Sequence, residues 1–370
     1  MKEMIKVLHT EWSDGWGGQE IRIVNEMIAL REKGIELYLA CREEAKIRQK
    51  AEEAGFKVFL LPFRGNTDLK TLWGLIDLIR KEKIDILNTH SGKDTWVGGM
   101  AAKLTGAKFI RTRHLSNPIK NSHFNFINEL ADYIFTTGES VRQDMIDNNR
   151  IDPSKIVSIP TGIDEELFDP LRYDRKQCRE IFNIADDEIT IGIVAVLRQF
   201  KRHDLFLDMA EKLVTRYPGK KLKFLIAGEG PQRKNIEKLI AEKKLENKVR
   251  LLGHVSKVPE FLMALDIFTL TSDSKEGVPQ SVMQALMMSK AVVSTDAGST
   301  RDLLADENFI LVPTGENYIE VFTEAIDRLI NDPVKKQIYE KKARKYIVDN
   351  FSQTKMQEKI FQVYQRLVNR

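Results

Sequence analysis

Apolar runs and amphipathic segments alternate along almost the whole chain. Runs such as Ile5–His9 and Ile189–Leu197 predict buried strands, whereas Asp68–Lys83 carries apolar residues at helical spacing. Strands that alternate with helices form parallel sheets through right-handed crossovers, so the pattern predicts an α/β chain with doubly wound sheets. Further strands are predicted at Glu36–Ala40, Lys57–Leu61, Ile84–Asn88, Lys108–Arg113, Tyr133–Thr137, Ile156–Ile159, Leu222–Ala227, Val249–Leu252, Ile267–Leu270 and Ala291–Ser294.

The alternation pauses between Pro160 and Asp187, where turn residues are frequent and no period is clear. We predict two Rossmann-like domains, residues 1–165 and 188–351, which a hinge at 166–187 joins. The last helix, within residues 352–370, is expected to pack back on the first domain. The two domains are expected to face a central cleft, because ligands of such sheets bind outside the carboxyl ends of the strands.

Charge and cysteine content narrow the class of protein. A net charge of +4 over 370 residues does not indicate a nucleic-acid partner. Cys41 and Cys178 form no Cys-x-x-Cys pair, which favours a reducing, cytoplasmic compartment. No apolar run is long enough to span a membrane, and the first residues predict a strand rather than a signal peptide. The sequence has no Asp-x-Asp triplet and no cluster of His and Cys at metal-ligand spacing, so we expect no metal site.

A glycine-rich turn follows the first strand, where Gly17 and Gly18 open a helix. A dinucleotide-binding fingerprint needs a third glycine at the position of Glu20, which excludes a nicotinamide site of that type. The turn lets a ligand approach the backbone closely. A plain strand-to-helix turn has the same composition, and both interpretations stay open.

Histidines end two neighbouring predicted strands, His90 in one case and His114 in the other. Each is compatible with a structural role. The stretch from Lys103 to Asn128 favours function for His114, because it holds five basic side chains and no acidic one. Such a stretch suits a phosphorylated or anionic membrane partner, although a solvated basic face is the ordinary explanation. The basic residues are Lys103, Lys108, Arg111, Arg113 and Lys120.

The predicted strand ends of the second domain carry cations and glycines. Arg198, Lys201 and Arg202 follow its first strand just before a helix, where they are well placed to clamp a diphosphate. The next two strand ends are Ala227–Pro231, with two glycines, and Gly253–Val255. The segment that begins at Glu276 follows the fourth strand, and Ala297–Thr300, with Gly298, follows the fifth. Five successive strand ends of this kind are hard to attribute to helix capping alone.

The segment after the fourth strand runs from Glu276 through Pro279 into a helix. Proline suits the first helical turn, and the amides that begin at Gln280 would point the positive end of the helix dipole at a phosphate. Glu276, Gln280 and Gln284 have the spacing of one helix face, which predicts a groove lined by a carboxylate and two amides. A capped helix with a polar face is the alternative interpretation.

These motifs together resemble the family 4 retaining glycosyltransferases of the GT-B fold, over essentially the whole chain. The residues that carry the resemblance are Gly15–Gly18, Arg113–His114, Pro160–Asp164, Arg198 with Lys201, Gly228–Pro231, and Glu276–Pro279 through Gln284.

The resemblance implies a role for each motif. It makes the first domain the acceptor-binding one and the second the nucleotide-sugar-binding one. Arg198 and Lys201 would neutralise the departing nucleoside diphosphate, and His114 would reach the donor sugar. Together with Glu276 these are the expected catalytic residues. The other expected donor-binding residues are Gly17, Gly18, Gly228, His254, Val255, Gly277, Val278, Pro279, Gln280, Ser281 and Gln284.

Three positions depart from the family pattern. Gln284 stands where a second glutamate usually binds the ribose hydroxyls. Val196 stands where the arginine of the family often lies, so either Arg198 or Arg202 takes that role. Thr161 replaces an asparagine of the hinge turn.

The expected reaction is metal-independent, retaining transfer of a hexose or N-acetylhexosamine from a UDP-linked donor. The basic stretch with Arg111, Arg113 and Lys120 suits a lipid-linked or lipopolysaccharide acceptor, as in O-antigen assembly, and an anionic membrane surface. We therefore expect a peripheral enzyme at the inner face of the cytoplasmic membrane. A nucleotide-sugar epimerase of the same shape and a non-catalytic sugar-nucleotide-binding module are the alternatives.

Overall fold

Strands and helices alternate in the computed structural model, which describes residues 4–114, 119, 126–273 and 276–368. The chain divides into unit 1, Met1–Thr161 with Met356–Arg370, and unit 2, Gly162–Lys355. Each unit is built on one parallel sheet. The predicted fold class, two doubly wound α/β halves, is confirmed.

The sheet of unit 1 has the strand order β3-β2-β1-β4-β5-β6-β7, in which the chain reverses its direction of winding after β3. Apolar side chains of α1 and α2 cover one face, and those of α3 and α4 cover the other. The strands are β1 Lys6–Glu11, β2 Glu36–Cys41, β3 Lys57–Leu60, β4 Ile86–Thr89, β5 Lys108–Arg113, β6 Tyr133–Thr136 and β7 Ile156–Ser158; the helices are α1 Gly18–Glu32, α2 Lys46–Glu53, α3 Leu69–Glu82, α4 Gly92–Thr105, α5 Phe126–Glu129 and α6 Glu139–Asn149.

The sheet of unit 2 has the order β10-β9-β8-β11-β12-β13 and one continuous core. Its strands are β8 Ile189–Val194, β9 Leu222–Ala227, β10 Val249–Gly253, β11 Ile267–Leu270, β12 Ala291–Thr295 and β13 Ile310–Val312; its helices are α7 Arg175–Ile181, α8 His203–Arg216, α9 Arg233–Glu242, α10 Val258–Ala264, α11 Gln280–Met287, α12 Tyr318–Asn331 and α13 Pro333–Phe351. The edge strand β13 is not among the strands predicted from the sequence.

The last helix, α14 Gln353–Val368, supplies apolar side chains to the core of unit 1 from Met356 onward. The Tyr364 ring is fully buried there and lies 6.4 Å from the Phe135 ring.

The predicted hinge at 166–187 belongs to unit 2, and the division between the units falls at Thr161/Gly162. Within this segment α7 packs on α10, with the Phe182 ring edge-on to Phe261 at 5.4 Å, and Arg175 binds the carboxylate of Asp266 at 2.9 Å. Seven helical residues with two buried side chains give little periodicity, which is why the sequence suggested a linker.

The chain leaves unit 2 beside the point where it enters. The amide of Ile163 donates to the Phe351 carbonyl at 2.9 Å, and the amide of Gln353 donates to the Ile163 carbonyl at 2.8 Å. A Cβ on Gly162 would lie 2.6 Å from the Cα of Gln353, so this crossing requires glycine.

Candidate functional site in unit 2

The loop after β8 presents a lysine and two arginines. It forms a 3₁₀ turn over Gln199–Lys201 and enters α8 through Arg202, whose φ of 49° is left-handed. The loop after β11 holds this turn in place. The Thr271 hydroxyl donates to the Lys201 carbonyl at 3.0 Å, and the amide of Asp273 donates to the Phe200 carbonyl at 2.9 Å. Two strand-end loops therefore form one rigid corner.

At this corner the ammonium of Lys201 forms an ion pair with the carboxylate of Glu276. The Ser272 hydroxyl also donates to Glu276, at 2.5 Å. Both charged side chains are largely buried, 15% exposed for Lys201 and 9% for Glu276. The sequence predicted that both residues belong to one site, and the structure places their side chains in direct contact.

The loop after β12 packs against the backbone of Glu276. Gly298 has a φ of +57°, and a Cβ on it would lie 1.8 Å from the Glu276 carbonyl oxygen. Only glycine allows this approach. The position of Glu276 therefore depends on a glycine that lies more than twenty residues later in the chain.

Helix α11 begins immediately after Pro279, not at it. Pro279 has extended backbone angles and precedes the helix, whose first residue is Gln280. Glu276 is therefore not helical, and the prediction that Glu276, Gln280 and Gln284 share one helix face is wrong. Gln280 and Gln284 do lie one turn apart on α11, and Gln280 is exposed.

The N-terminus of α11 offers free hydrogen-bond donors. The amides of Val282 and Met283 donate to the Pro279 carbonyl, both at 3.2 Å. Within the described residues the amides of Gln280 and Ser281 have no such acceptor, as expected for the first turn of a helix. The amides of Gly277 and Val278 likewise have none there. Such donors suit phosphate oxygens or sugar hydroxyls.

The two arginines that are candidates for binding phosphate differ in their ion pairs. Arg202 forms an ion pair with Asp204 at 2.8 Å. Arg198 is exposed and forms no ion pair with any described residue. Both line a cavity of about 740 Å³ together with Gln232, which precedes α9, and Asn235 of α9. Because only Arg198 has an uncommitted charge, it is the better candidate for an anionic ligand.

The glycines after β9 allow the loop to pass over the neighbouring strand end. A Cβ on Gly228 would lie 1.9 Å from the Ala195 carbonyl oxygen, and its amide donates to the Gly253 carbonyl at 2.8 Å. The role of Gly228 is therefore to pack loops together. His254 follows β10 and is exposed, while Val255 packs partly against the core of unit 2.

Candidate functional residues in unit 1

Gly17 and Gly18 lie at the N-terminus of α1, where Gly17 precedes the helix. The Glu20 carboxylate accepts a hydrogen bond from the Gly17 amide at 2.9 Å. Glu20, the residue that departs from the dinucleotide fingerprint, therefore caps the start of α1. Apart from its chain neighbours and the backbone of its own helix, a Cβ on Gly18 would meet no atom of the described residues within 4 Å. The fold itself does not require glycine at position 18.

His114 directly follows β5 and belongs to a row of three histidines. His9 Nδ1 lies 2.8 Å from His90 Nε2, and His90 Nδ1 lies 2.9 Å from His114 Nε2. His9 and His90 are buried, and His114 is partly exposed. The sequence marked two of these histidines; it missed His9, whose only signal was a histidine at the end of an apolar run.

The basic stretch is not a solvated surface at Arg111. This side chain is 7% exposed and donates to the Asn128 side chain, and burial lowers its pKa to about 10. It lines a cavity of about 330 Å³ with Trp12, Gln19 and Lys93. Arg111 therefore cannot contact a membrane surface, which corrects that part of the prediction. Arg113 is partly exposed, and Lys120 lies outside the described residues.

Relationship to known proteins

Two family models match consecutive parts of the chain. The one described as "Glycosyltransferase Family 4" matches residues 16–167, and the one described as "Glycosyl transferases group 1" matches residues 174–346. The chain belongs to the group 1, family 4 glycosyltransferases. The family predicted from the strand-end motifs is confirmed, and with it glycosyl transfer as the type of reaction.

Relatives of this glycosyltransferase match it over nearly its full length. The UDP-Gal:alpha-D-GlcNAc-diphosphoundecaprenol alpha-1,3-galactosyltransferase of Escherichia coli is 25% identical over 97% of this chain and 96% of its own. A glycosyltransferase structure from Rickettsia africae superposes with a TM-score of 0.88 at 20% identity, covering 99% of each chain. The Anabaena HepE structure in complex with UDP gives 0.83 at 18%, covering 98% of this chain and all of that one. These structures establish the GT-B fold. No helix in the described ranges is long and apolar enough to cross a lipid bilayer.

Proposed function

We propose that this glycosyltransferase moves a hexose or N-acetylhexosamine from a UDP-linked donor to a lipid-linked or lipopolysaccharide glycan acceptor, with retention of anomeric configuration. The name of the Escherichia coli relative, a galactosyltransferase that acts on a diphosphoundecaprenol-linked sugar, supports the acceptor class. The Anabaena neighbour that holds UDP supports the nucleotide.

One observation carries the donor-site proposal: Lys201 and Glu276 meet beside the free amides of α11. A cation and a helix N-terminus neutralise a diphosphate. An adjacent carboxylate accepts hydrogen bonds from sugar hydroxyls. In this proposal Lys201 and Arg198 bind the diphosphate with the amides of Gln280 and Ser281, and Glu276 with the amides of Gly277 and Val278 holds the sugar.

The reaction breaks the bond between the anomeric carbon and the β-phosphate oxygen. The electron pair of that bond leaves with the diphosphate, while an acceptor hydroxyl attacks the anomeric carbon and gives up its proton to a departing phosphate oxygen. The main requirement is stabilisation of charge on the leaving diphosphate, which fixed cations and amides provide. We propose that this charge stabilisation needs no metal ion.

Gln284 is the proposed ribose-binding residue, one helical turn after Gln280 on α11. A glutamine can accept one hydrogen bond and donate another, whereas a carboxylate accepts from both ribose hydroxyls. Ribose binding is therefore retained with altered strength. In the same proposal His254 and Val255 lie beside the base, and His114 contacts the donor sugar.

We propose that the protein contacts the membrane through a surface other than the basic stretch, because Arg111 is buried. On α3, Leu69 and Trp73 lie one turn apart and are 66% and 65% exposed. Arg64 and Lys70, both exposed, flank them. Exposed aromatic and aliphatic side chains beside cations are the features that hold proteins at an anionic lipid surface. We propose that this α3 surface contacts the bilayer that carries the acceptor.

A donor panel combined with an acceptor assay tests the function. UDP-linked hexoses and N-acetylhexosamines, with GDP- and CDP-linked sugars as controls, are compared by thermal unfolding and then incubated with a GlcNAc-diphospholipid. One UDP sugar should raise the unfolding free energy by about 2.7 kcal/mol at a hundredfold excess over its dissociation constant. The linkage of the product, determined by NMR, should be α.

Each alternative has its own outcome in this experiment. An epimerase would convert the nucleotide sugar without any acceptor. A binding module would bind the donor but release no UDP with any acceptor. A β-linked product would refute retention, and stabilisation by GDP or CDP sugars alone would refute the nucleotide assignment.

A further inference from the structure

The row of three histidines in unit 1 follows from strand spacing. His9 lies in β1, and His90 and His114 directly follow β4 and β5, which are neighbours in the sheet. The ring centroids are 5.1 and 5.2 Å apart, close to the spacing of adjacent strands. Each ring therefore meets the next edge to edge, nitrogen to nitrogen.

The surroundings disfavour the protonated form of all three rings. Burial lowers the pKa of His9 to about 3 and holds the pKa of His90 and His114 well below the ordinary value. The buried guanidinium of Arg22 on α1 opposes protonation of His90 and His114 as well. On α4 the facing titratable group is Asp94, which accepts a hydrogen bond from the His90 amide at 3.1 Å and whose pKa is raised by burial. A neutral imidazole has one N–H and one acceptor nitrogen, so the protons along the row must all point one way.

His9, at the buried end of the row, determines in which direction the protons point. His9 Nε2 has no hydrogen-bond partner in the described part of the chain and no contact with solvent. If the proton were on Nε2, the row would end in a buried N–H without an acceptor, which folded proteins rarely tolerate. The proton therefore lies on Nδ1 of His9, which donates to His90 Nε2. By the same logic His90 Nδ1–H donates to His114 Nε2.

We propose that His9 and His90 are positioning residues that fix His114 in the neutral Nδ1–H tautomer, so that it offers an N–H to an oxygen of the bound ligand. The Nδ1 atom of His114 makes no hydrogen bond within the described ranges, and its side chain is partly exposed. The identity of the oxygen as a donor-sugar hydroxyl rests on the proposed function. The tautomer does not.

The surroundings hold the row in register. The Asp94 carboxylate that accepts the His90 amide also accepts the Thr10 hydroxyl, at 2.6 Å, one residue after His9. The Thr137 hydroxyl donates to the His114 carbonyl at 3.3 Å. These bonds tie the end of β1 to that of β4 through Asp94, and the end of β5 to that of β6 through Thr137, so the backbone on either side of the row is fixed.

Long-range ¹H–¹⁵N NMR of the full-length enzyme, labelled at histidine, reads the tautomer directly. The chain has six histidines, which single histidine-to-glutamine variants assign. We expect His9, His90 and His114 to carry their protons on Nδ1, with no titration between pH 5.5 and 8 on the basis of the lowered pKa values. An Nε2–H signal for His114, or titration in this range, refutes the proposal.

Two substitutions of His9 then test the coupling. His9→Asn places an amide where Nδ1 lies and keeps a donor, whereas His9→Phe removes it. We expect His9→Phe to put His114 in a mixture of tautomers and to lower kcat about tenfold or more, because a histidine in the wrong tautomer cannot serve its partner. His9→Asn should keep the Nδ1–H signal and most of kcat.

A purely structural role has a different signature. In that case His9→Phe and His9→Asn lower Tm alike, while the His114 tautomer and kcat stay unchanged, which overturns the proposal. If the native enzyme transfers no nucleotide sugar, the proposed function is wrong. The NMR experiment still tests the tautomer of His114, because it does not depend on transfer.

Discussion

The ammonium of Lys201 and the carboxylate of Glu276 lie in contact across two loops that follow neighbouring strands of unit 2. In Lys201→Met the fold is expected to persist while the transfer rate falls about 10²–10³-fold, the usual effect of losing a group that stabilises transition-state charge. The rate is measured as UDP release with acceptor present. Lys221→Met, which breaks the exposed pair with Asp187, is the matched control and should leave the rate unchanged.

The same pair makes Glu276 a sensitive position. Glu276→Gln keeps the shape and the hydrogen bond from Ser272 but removes the charge opposite Lys201. We expect a rise in KM for the donor together with a fall in kcat, since an amide is a weaker acceptor for sugar hydroxyls. Equal KM for wild type and variant would contradict a role for Glu276 in sugar binding.

Two glycines should respond to alanine in opposite ways. The Cβ of Gly18→Ala would meet no further atom of the described residues and lies in a helix, so the unfolding free energy should rise slightly or stay constant while activity falls. Gly228→Ala places a Cβ 1.9 Å from a carbonyl oxygen and should unfold the protein at lower temperature. Calorimetry measures the stability of the two variants, and donor titration measures their ligand binding. Full activity of Gly18→Ala would show that no ligand approaches this backbone.

Gln284→Glu restores the usual residue of the family. We expect UDP to bind more tightly, since a carboxylate accepts from both ribose hydroxyls, and the choice of donor sugar to stay the same. Isothermal titration with UDP and the donor panel provide the two measurements. A changed sugar preference would mean that Gln284 contacts the sugar rather than the ribose.

Stability should depend on pH through Glu26, a fully buried carboxyl on α1. Burial raises its pKa from 4.5 to about 7, and Arg22 offsets this only partly. The stabilisation from the protonated form is therefore complete below pH 4.5 and is lost as the pH rises through about 7.

The variant Glu26→Gln cannot lose a proton. The difference in unfolding free energy between variant and wild type should thus shift in favour of the variant by about 1–3 kcal/mol between pH 4.5 and 8.5. Urea unfolding at both pH values measures it. A difference that does not change with pH would show that Glu26 keeps an ordinary pKa.

Vesicle binding tests the α3 surface. Leu69→Ser with Trp73→Ser should abolish co-sedimentation with vesicles that contain anionic lipid, and Arg64→Ala with Lys70→Ala should weaken it only at low salt. Ile181→Ser, which removes an exposed isoleucine from unit 2, is the control. Undiminished binding of the Leu69/Trp73 variant would place the membrane contact elsewhere.

The sequence by itself determined the fold class, most strands and the family. These features depend on local periodicity and on glycines and cations at strand ends, which are visible without coordinates. The start of α3 is an example, because Asp68 caps the helix through the amides of Lys70 and Thr71.

Only the tertiary structure decided which residues touch. The ion pair of Lys201 with Glu276, the support of Glu276 by Gly298, and the row from His9 to His114 all join residues far apart in sequence. The burial of Arg111 likewise depends on what packs around β5. Side-chain contacts and pKa values arise from neighbours brought together by the sheet, and a linear pattern of residue types carries no record of those neighbours.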